Sequence, residues 1–319
     1  MPDIDLQAVH DTLVSIAFEA GRMILAADPN DIPQGTKKNS VDLVTEADQA
    51  VERMVYARLR ADYAHCAFVG EETYVAGETH VTDAPTFIVD PIDGTTNFVH
   101  GFPHACISLG FAVGRRPVVG VVYNPFLDIL YTGIQGKGSY MQRNAAQATA
   151  PGPKQKLPLA GRGDVQAAPA LRGLGTALVG VEWGSDRQGA NFDLKVGVFQ
   201  RLAAAKAASQ TTTTTTTPPN AMVHSLRSLG SAALNFCAVA AGQMDCYWEG
   251  GCYAWDVCAG WCILSEAGGF VASGNPGDWE PALDSRLYLA VRGAPSGGKE
   301  LVEEFWSVIG DAGKMAYEH

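Results

Sequence analysis

Phe87-Ile88-Val89-Asp90-Pro91-Ile92-Asp93-Gly94-Thr95-Thr96-Asn97-Phe98 is the stretch from which the rest of the chain becomes readable. The apolar run Phe87-Ile88-Val89 predicts a buried strand. That strand delivers two carboxylates, Asp90 and Asp93, at its end. Gly94 then lets the backbone turn sharply, and the hydroxyls of Thr95 and Thr96 follow. Pro91 lacks an N–H and fixes its own φ, so the turn is stiff. Carboxylates, a free carbonyl and a glycine–hydroxyl turn make an oxygen-rich site of the kind hard cations such as magnesium prefer.

Two further acidic segments complete the pattern. Gly70-Glu71-Glu72-Thr73 follows the apolar run Ala67-Phe68-Val69, and Trp255-Asp256 precedes a small-residue helix, Val257 to Ala267, that stops at Gly268-Gly269. Taken singly, an Asp before a helix is an N-cap and a Glu-Glu pair is solvated surface. The ordered set resembles the inositol monophosphatase family of magnesium-dependent, lithium-sensitive phosphatases. The similarity runs from the first helix to about residue 290. It takes in Asp42-Leu43-Val44-Thr45-Glu46-Ala47-Asp48, Gly120-Val121-Val122-Tyr123-Asn124-Pro125 and Arg227-Ser228-Leu229-Gly230-Ser231-Ala232-Ala233.

Composition sets outer bounds. The 319 residues suit one or two domains with ample core. No apolar run reaches the length of a membrane span, and the N-terminus has no basic stretch followed by an apolar one, so a soluble cytoplasmic protein is expected. The seven cysteines are odd in number and form no CxxC pair, which favours small buried thiols over a disulfide or zinc framework. The formal net charge of −11 argues against nucleic acid and anionic membrane as partners. It also means that an acidic site can hold a phosphate ester only if cations stand between them.

Along the chain, residues 4–27 and 45–60 carry apolar residues at helical spacing. Thr45 and Asp48 open the second helix in a capping-box-like pattern. Residues 81–140 read as strands and turns, with a hairpin joining Cys106–Val113 to Val118–Tyr123 through residues 114–117. Strands and helices then alternate: strand 177–181, helix 193–206, strand 223–226, helix 231–241 and strand 245–248. The expected organisation is two halves, an α+β half over 1–150 and an α/β half over 151–319. Residues 145–174, rich in Ala, Pro and Gly, are expected to be a surface loop, and 203–221, with seven consecutive threonines before Pro218-Pro219, a flexible insertion.

The resemblance implies an α/β fold of layered αβαβα type and a homodimer. It assigns Glu71, Asp90, the Ile92 carbonyl, Asp93 and Asp256 as ligands of two to three Mg²⁺ ions. Two ions about 3.5–4 Å apart are able to neutralise the ester, activate water and stabilise the leaving alkoxide. Glu71 with Thr95 is expected to orient and deprotonate the attacking water. Asp93, Gly94, Thr95, Thr96, Ser231, Ala232, Glu249 and Asp256 are expected to touch substrate, and Asp48 and Lys37 or Lys38 to support the site. Blander readings exist for several: a helix cap for Asp48, a turn hydroxyl for Thr95, a solvated strand end for Glu249. His100 and His104 are read as structural.

The implied activity is hydrolysis of myo-inositol monophosphate. Alternatives are a relative acting on another small ester (sugar phosphate, histidinol phosphate, nucleotide 3′-phosphate), a fungal quinate-cluster relative, or a non-catalytic phosphate-sensing scaffold. The nucleotide enzymes tend to carry Lys-Gly where this chain has Thr96-Asn97.

Overall fold

A computed structural model describes residues 4–27, 35–36, 43–44, 46–147, 149–159, 168–206, 218–310 and 314–317. Lys37, Lys38 and the threonine run 211–217 lie outside the described residues.

The chain opens with α1 (Leu6–Ala26), capped by Asp5, whose carboxylate accepts from Gln7 N and Ala8 N at 2.9 and 3.2 Å. A short antiparallel pair, β1 (Gly35–Thr36) and β2 (Leu43–Val44), leads to α2 (Glu46–Asp62). A seven-stranded sheet follows: β3 (Ala67–Gly70), β4 (Thr86–Asp93), β5 (Cys106–Val113), β6 (Arg116–Asn124), β7 (Ile129–Ile134), β8 (Gly138–Arg143) and β9 (Lys154–Lys156). The short helix α3 (Thr95–Val99) leaves the end of β4. The strands lie side by side in chain order, β3 and β4 parallel and the rest antiparallel.

The second half contains β10 (Leu178–Val181), α4 (Ala190–Ala203), β11 (Ser225–Arg227), α5 (Ala232–Ala240), β12 (Cys246–Gly250), α6 (Ala254–Glu266), β13 (Phe270–Ala272), β14 (Leu287–Val291) and α7 (Gly298–Ile309). Its five strands run in the order β11-β10-β12-β14-β13, with β10 parallel to both neighbours and β14 antiparallel to both. Five layers result. α1 and α2 cover one face of the larger sheet, α5 and α6 fill the space between the sheets, and α4 and α7 cover the far face of the smaller sheet. This is the expected αβαβα sandwich.

Because β4 is covered on both faces, all eight of its residues are buried, which is why its apolar run shows no alternation. α6 reaches the larger sheet through a row of glycines. Gly110, Gly120 and Gly133 are direct cross-strand partners on β5, β6 and β7. A Cβ on Gly120 would stand 2.2 Å from the Ala259 carbonyl oxygen, and one on Gly110 2.5 Å from Cys258 Sγ. The helix backbone therefore sits down on the sheet, and its first turn meets the end of β4.

Several expectations are corrected. β4 continues through Pro91 to Asp93, with a register shift between Asp90 and Asp93 against β5, so the turn begins at Gly94 rather than at the proline. α6 begins at Ala254, so Trp255 and Asp256 lie inside its first turn rather than before it. The segment 145–174 is more than a loop, since Lys154–Lys156 pair with β8 and Leu157 and Leu171 are buried. The described flanks of 203–221 are folded: Ala221 N donates to Arg201 O and Asn220 Nδ2 to Ala205 O. All seven cysteines are free and buried, as expected.

Candidate active site

The end of β4, the residue after β3 and the first turn of α6 converge on one cleft of about 180 Å³. It is lined by Glu71, Asp90, Ile92, Asp93, Gly94, Thr95, Thr96, Ser185, Gly230 and Asp256. β3 and β4 run parallel, so Glu71 follows β3 beside Asp90, with Glu71 N donating to Val89 O at 3.1 Å. Gly94 has φ +90°, a left-handed conformation that suits glycine. A Cβ there would also stand 2.9 Å from His104 O and 3.1 Å from Gly230 O.

Asp90, Asp93 and Asp256 each offer an oxygen, all within 4.8 Å of one another. Asp93 Oδ2 accepts from Ser231 Oγ at 2.6 Å and Ala233 N at 2.7 Å. Asp256 Oδ2 accepts from Tyr253 N at 2.6 Å, one arm of the α6 capping box. Asp256 thus caps its helix with one oxygen and has the other for the cleft. Asp90 Oδ1 is buried without a hydrogen-bond partner among the described residues.

Burial raises the pKa of Asp90 far above the carboxylate range, and the charges of Glu71, Asp93 and Asp256 push it further. Asp256 is raised by burial and then by Asp93 and Glu71. Asp93 is raised by burial to about 6, against the Ser231 and Ala233 hydrogen bonds, which lower it. No Lys or Arg lines the cleft among the described residues. An orphaned buried oxygen, converging carboxylates and a backbone carbonyl form a donor set that fits a hard divalent cation.

Thr95 Oγ1 lies 3.0 Å from the Ile92 carbonyl and 3.4 Å from Asp48 Oδ1. Asp48 is buried in the first turn of α2, so the second helix reaches the site through it. Ser231 is only 1 % exposed, its hydroxyl donating to Asp93 and accepting from Leu234 N, and Ala232 is buried beside it. These two lie behind Asp93 rather than on the open cleft. Glu249 is buried within β12, which overturns the solvated strand end. Burial raises its pKa to about 8, against the nearby Lys195. His104 is half-buried on the loop after α3, and burial lowers its pKa.

Sequence reading missed several residues. Ser185 and Gly230 line the cleft. Glu182, just past β10, accepts from Leu229 N, Gly230 N and Asn235 Nδ2 on Oε1 and from Ser228 Oγ on Oε2. Glu52, one turn after Asp48, accepts from Glu72 N at 2.8 Å and so secures the segment carrying Glu71. Lys195 is 1 % exposed and donates to Gly250 O at 2.6 Å and Trp183 O at 3.3 Å. One signal was available for Lys195: it shares the apolar helix face of Val198 and Leu202.

The structure of inositol monophosphatase from Anabaena superposes with a TM-score of 0.67 at 24% identity over 95% of each chain, a likeness of fold. Fold and carboxylate cluster together define a layered αβαβα protein with a site suited to a divalent cation. A sequence profile of the inositol monophosphatase family matches residues 5–309. Inositol monophosphatase 2 of Saccharomyces cerevisiae is 42% identical over 98% of both chains. The protein qutG of Emericella nidulans is 36% identical over 94% of this chain and 89% of its own. The chain belongs to the inositol monophosphatase family, and it is a phosphoric monoester hydrolase.

Proposed function

We propose that the protein hydrolyses myo-inositol monophosphate to inositol and phosphate with Mg²⁺ as its metal. The observation that carries this is the cluster of Asp90, Asp93 and Asp256 beside Glu71, in a cleft that no described Lys or Arg lines. In this reading Asp90, Glu71, the Ile92 carbonyl, Asp93 and Asp256 would hold two to three ions, Glu71 and the Ile92 carbonyl on one side of Asp90 and Asp93 and Asp256 on the other. When bound, the ions neutralise the ester, lower the pKa of the attacking water and stabilise the departing alkoxide.

The chain's own residues do the rest. The Thr95 hydroxyl directs its proton to the Ile92 carbonyl or Asp48, which leaves an oxygen lone pair to orient the water. Glu71 accepts the water's proton. The N–H groups of Gly94, Thr95 and Thr96 hold phosphate oxygens. Glu249 accepts hydrogen bonds from ring hydroxyls, beside Asp256, with Ser231 and Ala232 fixing Asp93 behind them. Lys37 or Lys38 supports the phosphate. The half 1–150 supplies Glu71, Asp90, the Ile92 carbonyl, Asp93 and Thr95, and the half 151–319 supplies Asp256 and Glu249.

No helix among the described residues is long and apolar enough to cross a membrane. We read the protein as a cytoplasmic homodimer, which light scattering and cell fractionation would check. The function is tested by phosphate release from inositol phosphates, sugar phosphates, histidinol phosphate and nucleotide 3′-phosphates, with Mg²⁺ and with chelator. Inositol monophosphate is expected to be the best ester, and Mg²⁺ to be required. A better rate on another ester would replace the substrate assignment, and an undiminished rate in chelator would overturn the metal assignment.

A further inference from the structure

β10 and β12 run parallel and end in a fork. Their pairing holds register from Val179↔Cys246 to Val181↔Trp248 and stops there. Open α/β sheets hold their ligands outside such carboxyl ends. Lys195 of α4 fills the fork: its Nζ donates to Trp183 O at 3.3 Å and to Gly250 O at 2.6 Å. Each of those carbonyls lies two residues past the last pair on its own strand. One buried ammonium therefore takes the place of the next rung of the ladder.

The two prongs are not equally secured. Gly250 is still paired with Leu287 of β14, so the β12 prong keeps a strand on its other side. The β10 prong has left both neighbours, since its pairing with β11 ends at Gly180↔Arg227. After Glu182 comes the turn Trp183-Gly184-Ser185, and α4 grips it through two residues one helical turn apart. Lys195 binds the Trp183 carbonyl, and the Phe199 ring lies 5.1 Å from the Trp183 ring. The amine approaches so closely that a Cβ on Gly184, whose φ is +64°, would stand 3.0 Å from Nζ. Ser185, the next residue, lines the cleft.

Burying an ammonium is costly, and the face of α4 that Lys195 shares with Val198 and Leu202 is otherwise apolar. What the lysine supplies there is a fixed spacing between the turn and β12. We infer that Lys195 is a positioning residue: it holds the Trp183–Ser185 turn against the end of β12, and so sets where Ser185 stands to meet a hydroxyl of the substrate's leaving group. This rests on the polyol phosphate reading of the site.

Lys195→Met keeps the length of the side chain and removes the charge and both donated hydrogen bonds. Steady-state kinetics would be compared on myo-inositol 1-phosphate and on p-nitrophenyl phosphate, whose leaving group has no ring hydroxyls to be read. KM for the inositol ester is expected to rise about fivefold, with kcat, the Mg²⁺ requirement and both p-nitrophenyl phosphate constants changed by less than about twofold. Ser185→Ala should give the same pattern. Because the lysine acts through the serine, the double variant should be no worse than about twice either single one, whereas independent effects would multiply to about twenty-five-fold. If Lys195→Met does not fold, Lys195→Gln, neutral and shorter with one amide donor group, should show the same selective rise to a smaller extent. An equal change on both esters, an unchanged KM in a folded Lys195 variant, a silent Ser185→Ala or multiplying effects each overturn the inference. Failure of both Lys195 variants to fold also overturns it, since the lysine would then serve the fold alone. If the wild type ignores inositol 1-phosphate but cleaves another polyol phosphate, the substrate assignment above fails, and Lys195 is judged by the same comparison with that ester. Wild-type activity on p-nitrophenyl phosphate alone overturns both.

Discussion

On the wall formed by β3, β4 and α6, four carboxylates face one space that no described Lys or Arg lines, and Asp90 keeps a buried oxygen with no partner among the described residues. On the wall formed by the ends of β10 and β12, the carboxylate of Glu182 is ringed by four donors, and Glu249 has Lys195 close by. Both walls hold acids, yet the first leaves Asp90 Oδ1 unpaired among the described residues, whereas the second surrounds Glu182 with donors. A satisfied buried carboxylate joins parts of a protein, and an unsatisfied one marks where a ligand belongs. The two kinds should respond oppositely to the same chemical change, Asp or Glu to its amide.

The largest effect is expected on the unsatisfied wall. Asp93→Asn or Asp256→Asn removes a ligand without a change of volume, and turnover should fall by about a thousandfold or more, over 4 kcal/mol of barrier. The retained side-chain oxygen still accepts from Ser231 and Ala233, or from Tyr253. In chelator such a variant should melt no lower than wild type, since one repelling charge is gone. Near-normal turnover at ordinary Mg²⁺ would show that these residues do not hold the catalytic metal.

Glu182→Gln should do the reverse. The amide N–H₂ fits only at the Oε2 position, where the Ser228 hydroxyl turns to accept, and the charge that strengthens the Leu229, Gly230 and Asn235 contacts on Oε1 is lost. A loss of about 2 kcal/mol of stability is expected, with or without Mg²⁺. A variant as stable as wild type would mean that Glu182 is not the clamp its contacts suggest.

The same division explains what could be read from sequence. Metal ligands must come from a few rigid places, so they fall in short runs: Glu71 after β3, Asp90 and Asp93 within three positions, Asp256 in one helical turn. The layers, most strands and this wall were legible. The opposite wall is assembled from single residues just past β10, on α4 and on β12. Glu182 and Lys195 look ordinary in sequence because their partners lie tens of residues away. The β9 pairing escaped for a different reason: Lys154-Gln155-Lys156 is exposed edge strand with no apolar face to give a period.

Between the two extremes stands Glu249, stabilised by the charge of Lys195 but near Asp93 and Asp256. Glu249→Gln keeps the size and one acceptor. KM for inositol monophosphate should rise roughly tenfold, the worth of a charged hydrogen bond of about 1.5 kcal/mol. Mg²⁺ dependence and hydrolysis of an ester without ring hydroxyls should stay the same. If both esters suffered alike, Glu249 would belong with the metal wall.

The smallest effect is in pH, and its sign separates the walls most cleanly. In the metal-free protein Asp93 has a pKa of about 6 against an ordinary 3.8. Between those values the native state binds more protons than the unfolded chain, so stability falls as pH rises through the window and is flat above it. From pH 5 to pH 8 Asp93 alone should cost the chelated protein about 1 kcal/mol. Asp90 and Asp256, also raised, add with the same sign. His104, lowered by burial, works the other way, so the quantity to measure is the difference between wild type and Asp93→Asn. With saturating Mg²⁺ the slope should reverse, because ligands must be deprotonated to bind metal and binding tightens as pH rises. Urea unfolding at the two pH values, with chelator and with Mg²⁺, measures both slopes. If wild type and Asp93→Asn had the same slope in chelator, the carboxylates of this wall would not be the mutually repelling group that distinguishes it from Glu182 and its ring of donors.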